Sequence, residues 1–433
     1  MTGYQWTVLF AAWLGWGFDA FDALLFNYVS GLCVPDLLDI PLGTVEAKQA
    51  AIFWNGALTS VLLVGWALGG IGFGKLADRI GRSRTLMLTI LVYSLGTAAC
   101  AFAPNLWVLG IFRFITSLGI GGEWAAGAAM VAEVVPEKKR LEAAALLYSA
   151  APAGIFAAGF LSEQVINHWL PDNASAWRYV FLAGLLPALF ALVVRHFVHE
   201  PEAWKQEEGQ ASRATFSELF RPGMRRRTFS GTSMAISALL PWWSCNAFLP
   251  LVVSAFAEEA AAARGLSGEA ALALVVSSKS QAIHVFNAGG LLGTFCGVPL
   301  ARHLGRKPTF AIYFLVSALA IFGAFGLSLE LPLRLALLFV VGVTTYGALG
   351  SFCYYLPELY PTHLRGTGSG FCYNVGRLIT AAGPLVVATL ASQGSEGAEA
   401  VRSVMPMVAV IPLGALLLMP WVIETRDSVV SGK

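Results

Sequence analysis

Apolar residues dominate twelve stretches of the chain, and polar residues gather in the gaps between them. The stretches run over 6–30, 50–74, 84–103, 106–133, 141–167, 177–199, 229–256, 272–300, 308–328, 332–357, 366–391 and 402–423. A helix needs about 20 mostly apolar residues to cross the hydrocarbon core of a bilayer. None of the stretches alternates apolar and polar positions as a barrel strand would, and open strand edges are not tolerated in lipid, so helices are expected. One gap is longer than the rest. It contains Glu200, Glu202, Glu207, Glu208, Arg225, Arg226 and Arg227, and it separates six stretches from six. The expected architecture is an all-α membrane protein of twelve transmembrane helices in two pseudo-symmetric six-helix bundles, 1–199 and 229–433. Residues 200–228 form the linker, whose charges are solvated beside the membrane or offer an interaction patch.

Composition agrees. Of 433 residues, 57% are hydrophobic and 12% charged, with a mean hydropathy of +0.67. A soluble chain would carry about 25% charged residues. The net charge of +2 gives no electrostatic case for nucleic-acid binding. Six scattered cysteines form no metal-ligand spacing and read as small core residues. The first stretch carries Asp19 and Asp22 and is too long for a signal-peptide core, so it is read as a retained span. Lysine and arginine crowd into alternate gaps, at Lys75, Arg79, Arg82, Arg84, Lys138, Lys139, Arg140, Arg302, Arg306 and Lys307. That bias places both termini in the cytoplasm. The expected location is the inner membrane of a cell, as a monomer in the lipid bilayer.

The gap at 74–84 reads Gly-Lys-Leu-Ala-Asp-Arg-Ile-Gly-Arg-Ser-Arg, with glycines that permit a tight turn. It resembles the signature loop between helices 2 and 3 of the major facilitator superfamily. A degraded copy follows in the second half at Ala301-Arg-His-Leu-Gly305-Arg306-Lys307. Glu133, Pro136, Arg140 and Tyr148 recur as Glu358, Pro361, Arg365 and Tyr373, each 225 residues later. Trp177-Arg178, Pro187 and the run from Glu200 to Trp204 are similar to the end of that superfamily's helix 6. The resemblance implies parallel six-helix repeats with a substrate site between them. It also implies a cytoplasmic gate of Gly74, Asp78, Arg79, Gly81, Arg82, Glu133, Arg140, Glu358 and Arg365, whose ion pairs set the conformational balance without touching substrate.

Ionisable residues inside spans cost at least about 2.5–3.5 kcal/mol each, so each needs a partner or a function. Asp19 and Asp22 lie three apart on neighbouring faces of the first stretch. Close carboxylates in a low dielectric tend to share a proton, which suits a proton carrier; the other reading is that one of them pairs with a structural cation. The phrase Gly15-Trp-Gly-Phe-Asp19-Ala-Phe-Asp22 resembles helix 1 of the sialate and lactate proton symporters and, more loosely, of aromatic-acid symporters. The resemblance associates these aspartates with coupling or substrate handling. Arg113 resembles the superfamily's helix 4 arginine, associated with proton coupling, or it only orders the first bundle; Glu123 lies ten residues on. Tyr373, Asn374 and Arg377 share one helical face, and a guanidinium fork suits a carboxylate. Their phrase resembles helix 11 of the same symporters. His284 and Asn287 share a face, and Asn55, Asn246, Tyr354, Tyr355 and Trp242 are further candidates for lining a cavity.

Two departures narrow the resemblance. The yeast-type lactate signature of His, Ser or Thr, Gln and Asp in helix 7 finds its best match in Trp242-Trp243-Ser244-Cys245-Asn246, where His, Gln and Asp are all replaced, which argues against lactate itself. The helix 5 motif of drug antiporters is matched in part by Ala150-Ala151-Pro152-Ala153-Gly154, which disfavours export. No P-loop, Gly-x-Ser-x-Gly, His-Glu-x-x-His or metal-ligand cluster occurs, so no enzyme, cofactor or metal is expected. The function expected is proton-coupled import of a small organic anion, a monocarboxylate such as lactate or pyruvate, or a sialic acid. The alternatives are a proton symporter of a sugar, osmolyte or amino acid, and a transporter-like membrane sensor.

Overall fold

A computed structural model describes the backbone except at 81, 137–138, 172, 190–215, 362–363, 393–401 and 427–433. It also leaves undescribed the side chains at 74, 75, 77–79, 82, 124–130, 132–133, 140–141, 365–366 and 390–392. The described residues are helical almost throughout. In the first half these helices are α1 (Gly3–Leu38), α2 (Val45–Ile80), α3 (Arg82–Cys100), α4 (Leu106–Val134), α5 (Arg140–Tyr148), α6 (Ala150–Glu163) and α7 (Ala176–Leu182). The second half has α8 (Arg225–Ala263), α9 (Gly268–His303), α10 (Arg306–Gly326), α11 (Leu331–Glu358), α12 (Arg365–Thr380), α13 (Ala382–Ser392) and α14 (Val410–Leu418).

Eleven helical segments among the described residues are long and apolar enough to cross a bilayer, and Ala176–Leu189 is a shorter apolar helix. These follow the twelve expected stretches; the remainder of the sixth lies outside the described residues. Helices overrun the apolar stretches at their ends. Thus α1 continues to Leu38, and α8 opens at Arg225, so the arginine run belongs to a helix start rather than to a free linker.

Two spans are broken by the same chemistry. The span Glu142–Trp169 is interrupted at Ser149, between α5 and α6, three residues before Pro152. The span Thr367–Thr389 is interrupted at Ala381, between α12 and α13, three residues before Pro384. Proline has no N–H for the carbonyl four residues back, which loosens the helix at that turn. Small residues bring helices close elsewhere: a Cβ on Gly154 of α6 would strike the backbone carbonyl of Gly17 of α1.

Helices before residue 190 pack chiefly on one another, as do those after residue 224. The two halves meet where α2 lies along α12 and α13, and where α5 and α6 lie along α9 and α11. Both pairings flank one continuous apolar core that includes Trp16, Trp66, Tyr148, Trp243 and Tyr373.

Candidate functional site: a closed central cavity

A cavity of about 30 Å³ lies between the halves, enough for roughly one water. Helix α1 contributes Trp16, Ala20, Ala23 and Leu24, and α2 contributes Trp66. The broken helices bring Tyr148 and Ala151 from one side and Tyr373 and Arg377 from the other. Trp242 and Trp243 of α8 complete the aromatic wall. The rings meet edge to face: Trp16 with Tyr148 at 5.0 Å, Trp66 with Trp243 at 5.8 Å, and Trp242 with Trp243 at 4.8 Å. This is the favoured geometry for aromatic quadrupoles.

Arg377 is the one charged residue among the described lining residues. It is only 3% exposed. Its Cζ lies 4.2 Å from the Trp66 ring centroid and 4.8 Å from that of Tyr373. One Nη1–H is donated to Asn374 Oδ1 at 3.0 Å, while Nε has no hydrogen-bond partner among the described residues. Of the expected face, Tyr373 and Arg377 line the cavity and Asn374 bonds Arg377 from behind, and the guanidinium Nε–H alone is without a partner among the described residues.

The two aspartates separate. Asp19 is fully buried beside cavity-lining Ala20, with Glu123, Asp22 and Arg377 in electrostatic reach. Glu123 of α4 comes to it because Gly15 has no side chain; a Cβ there would collide with Glu123 Oε1. Asp19 and Glu123 lie within hydrogen-bonding reach of each other, and Glu123 also reaches Tyr93. Asp22 turns instead toward Thr97 of α3, Gly184 and Arg113. A step of three residues rotates a helix by about 300°, so the two carboxyls leave α1 on neighbouring faces. Asp22 thus lies on the neighbouring face, as the spacing implies, still in electrostatic reach of Asp19, and Glu123 joins Asp19 as a second carboxyl neighbour. Arg113 donates to the carbonyls of Asp22 at 3.0 Å and Ala23 at 2.8 Å, inside the first half. Arg113 is not among the residues that line the cavity.

The other candidates are occupied elsewhere. Asn55 Nδ2 donates to Ala247 O across the halves at 2.9 Å, and Asn246 donates to Trp242 O on its own helix at 3.0 Å. Asn287 donates to Ile283 O and accepts from Tyr346 Oη. His284 packs against the Phe156 ring at 4.9 Å. Tyr354 donates to Ser351 Oγ, near the Arg306 guanidinium, and Tyr355 lies with Ser230. Polar side chains in helices close hydrogen bonds with the nearest carbonyl when packing allows, and spacing alone does not reveal it. The sequence reading passed over Trp16, Trp66 and Trp243 as lining residues. The available signal was a tryptophan among small residues, Gly65-Trp66-Ala67 with Gly69 and Gly70, where only a purposeful bulk interrupts a close-packing stripe.

Of the expected gate, Gly74, Asp78, Arg79, Gly81, Arg82, Glu133, Arg140 and Arg365 lie outside the residues whose side chains are described. Glu358 is described. It accepts two hydrogen bonds from Arg306, at 2.9 and 2.6 Å, and a third from Thr425. Glu424 accepts the backbone N–H groups of Arg306 and Lys307, both at 2.9 Å, and so caps α10. The halves also touch on either side of the cavity. At the end that carries the termini, Arg302 pairs with Glu142; at the far end, Lys48 pairs with Glu258 at 3.5 Å.

Comparison with known proteins gives a consistent picture. Residues 48–384 match the family described as the Major Facilitator Superfamily. The chain is 30% identical to the cis,cis-muconate transport protein of Acinetobacter baylyi, over 91% of this chain and 90% of that one. It is 27% identical to the sialic acid transporter NanX of Escherichia coli, covering 87% of this chain and 85% of that one. Among solved structures, the proton:xylose symporter XylE bound to 6-bromo-6-deoxy-D-glucose superposes with a TM-score of 0.70 at 18% identity, over 98% of this chain and 97% of that one.

Proposed function

Since this chain belongs to the major facilitator superfamily, a family of multi-pass membrane transporters, we propose that it imports a small organic anion together with a proton by alternating access. The observation that carries this reading is Arg377, a buried guanidinium whose Nε–H has no partner among the described residues, lining a cavity between the two halves. A carboxylate is the natural complement of that edge. Relatives named for cis,cis-muconate and sialic acid, both organic acids, support the substrate class.

The proton belongs to the neighbouring carboxyls Asp19 and Glu123, which can hold one between them. Asp22 and Arg113 act behind α1, holding its backbone in register. In the loaded form, Arg377 faces the substrate anion while the carboxyl pair carries its proton, and the closed cavity encloses little net charge. Substrate without proton leaves an excess negative charge there, and closing over it is disfavoured. Coupling follows from that difference between half-loaded and fully loaded forms. The bundles 1–199 and 229–433 would rock about the cavity, with both termini cytoplasmic, in a monomer in the inner membrane.

The test is uptake of labelled carboxylates by proteoliposomes under an imposed pH gradient. Wild-type uptake is expected to rise severalfold with the gradient. Arg377→Ala should abolish uptake, and Asp19→Asn should remove the gradient dependence while leaving binding measurable. Uptake that ignores the gradient in the wild type, or that survives both substitutions, rejects the mechanism.

A further inference from the structure

We infer that the Tyr148 hydroxyl, on the first half, is a second donor to the substrate's carboxylate, so that the carboxylate bridges the halves and draws them together. The inference rests on the reading of Arg377 as the anion site and adds a partner from the other half. A carboxylate offers about four lone-pair sites and no donor. A guanidinium on one side leaves part of that capacity unmet. In a closed cavity with room for roughly one water, solvent cannot supply the rest. The opposite wall has to provide a donor.

Tyr148 carries the one hydroxyl among the described lining residues of the first half. It is only 4% exposed, and that hydroxyl has no hydrogen-bond partner among the described residues. A buried hydroxyl left unmatched is costly, so its place on the wall points to an occupant that accepts from it. The local fold holds it there. Tyr148 ends α5 at the break, and the next residue, Ser149, accepts the Nε1–H of Trp13 at 3.0 Å. Its ring meets Trp16 edge to face, and Gly350 of α11 clears space for it, since a Cβ there would lie 3.3 Å from Tyr148 Cδ1. Arg377 and Tyr373 of the second half lie in electrostatic reach of the phenol. The Trp66 Nε1–H also lacks a partner, but it lies in the plane of a ring whose face is turned to Arg377. On the empty return, the ionised Asp19 and Glu123 answer Arg377, and a single water suffices for the hydroxyl. On the loaded leg those carboxyls hold the proton, and the substrate's carboxylate accepts from Arg377 and Tyr148 at once. The two donors belong to opposite halves, so both bonds form only when the halves approach. That is a differential contact by which a ligand shifts a conformational balance.

The experiment measures binding and closure separately on the purified chain, with benzoate, lactate and N-acetylneuraminate as probes. Calorimetry reads affinity. Spin labels at Val45 and Leu266, exposed far-end residues on opposite halves, read closure. In the wild type, an acid that binds is expected to raise the population with the short distance. Tyr148→Phe keeps the ring and removes one oxygen. It is expected to bind the same acid roughly tenfold more weakly, as for a lost hydrogen bond to a charged group. At saturating acid it should also lose most of the wild-type shift in distance. Unchanged affinity would overturn the inference, as would weaker affinity with the full shift intact at saturation. A shift of the same size in the empty variant would overturn it too, because the hydroxyl would then shape the fold and not meet the anion. Arg377→Ala separates the parent reading: it should lose binding outright. If it binds as the wild type does, or if the wild type binds none of the three acids, the anion reading falls and this inference with it. If Arg377→Ala loses binding while Tyr148→Phe closes on the acid as the wild type does, the inference alone is rejected.

Discussion

On the proposed reading, in which Arg377 receives a carboxylate, the aromatic walls decide what is attached to it. Trp66 Nε1 is a buried donor without a hydrogen-bond partner among the described residues, and Arg377 Nε is a second. The amides of Asn246 and Asn287 are already committed. A hydroxyl-rich acid needs acceptors as well as donors, and each unmatched hydroxyl costs about 1–3 kcal/mol. A flat conjugated acid needs only ring faces and one bidentate edge, and it parts the walls by no more than its thickness, about 3.5–4.0 Å. Benzoate and cyclohexanecarboxylate differ in that flatness and share the carboxylate. We expect benzoate to compete for uptake at a concentration at least tenfold lower. Equal potency of the two, or lactate matching benzoate, would remove the aromatic walls from substrate selection.

Among elements, the apolar stretches were readable because crossing a bilayer imposes a length and a composition on each helix. Their ends were not, since a helix continues into polar residues wherever its backbone bonds are satisfied, as α8 does from Arg225. The face of Tyr373, Asn374 and Arg377 was readable from spacing within one helix. The meeting of Asp19 with Glu123 was not, because it depends on Glu123 arriving over Gly15 from a helix a hundred residues on. The segment 422–426 shows the same limit. Nothing in its spacing announces that Glu424 caps α10, that Ile423 N–H bonds Ser230 Oγ, or that Arg426 reaches His303 O. Burial alone would raise the Glu424 carboxyl, yet N–H groups from Arg306, Arg426, Lys307 and Thr425 together hold it below the usual carboxylate range. The unfolded chain therefore takes up this proton first. The stabilisation is complete above the unfolded value of about 4.3 and drains away as pH falls through the lower folded value. Glu424→Gln should lower the apparent melting temperature in detergent at pH 7, by the equivalent of roughly 1 kcal/mol for a charge at a helix N-terminus. It should also lose less stability than wild type between about pH 5 and 3. A variant as stable as wild type at pH 7, with an unchanged acid slope, would count against the cap.

At the scale of the whole molecule, the halves touch on either side of the cavity, and the contacts among the described residues are weak and separable. At the far end, Asn55 bonds the Ala247 carbonyl and Lys48 meets Glu258 with both side chains more than half exposed, 59% and 53%. At the terminal end, Arg302 meets Glu142, again half exposed, and Tyr148 packs near Gly350. Exposed pairs contribute about 0–1 kcal/mol, and a single buried amide bond about 1 kcal/mol. Among the described residues neither end is held by a strong contact, so one side chain is expected to move the balance between them. Asn55→Ala should open the far end, shifting the closed-to-open ratio by roughly fivefold for about 1 kcal/mol. Glu142→Arg sets two guanidiniums against each other and should open the terminal end, an effect that fades at high salt. Spin labels at Val45 and Leu266, exposed residues at the far end on opposite halves, would read the first shift as a longer distance. If the two ends compete for one rocking motion, Glu142→Arg must shorten or preserve that far-end distance, and the double variant must fall between the singles. A far-end distance that lengthens equally in both single variants would mean that the halves come apart as a whole, and the two closures could not then be alternatives of one cycle.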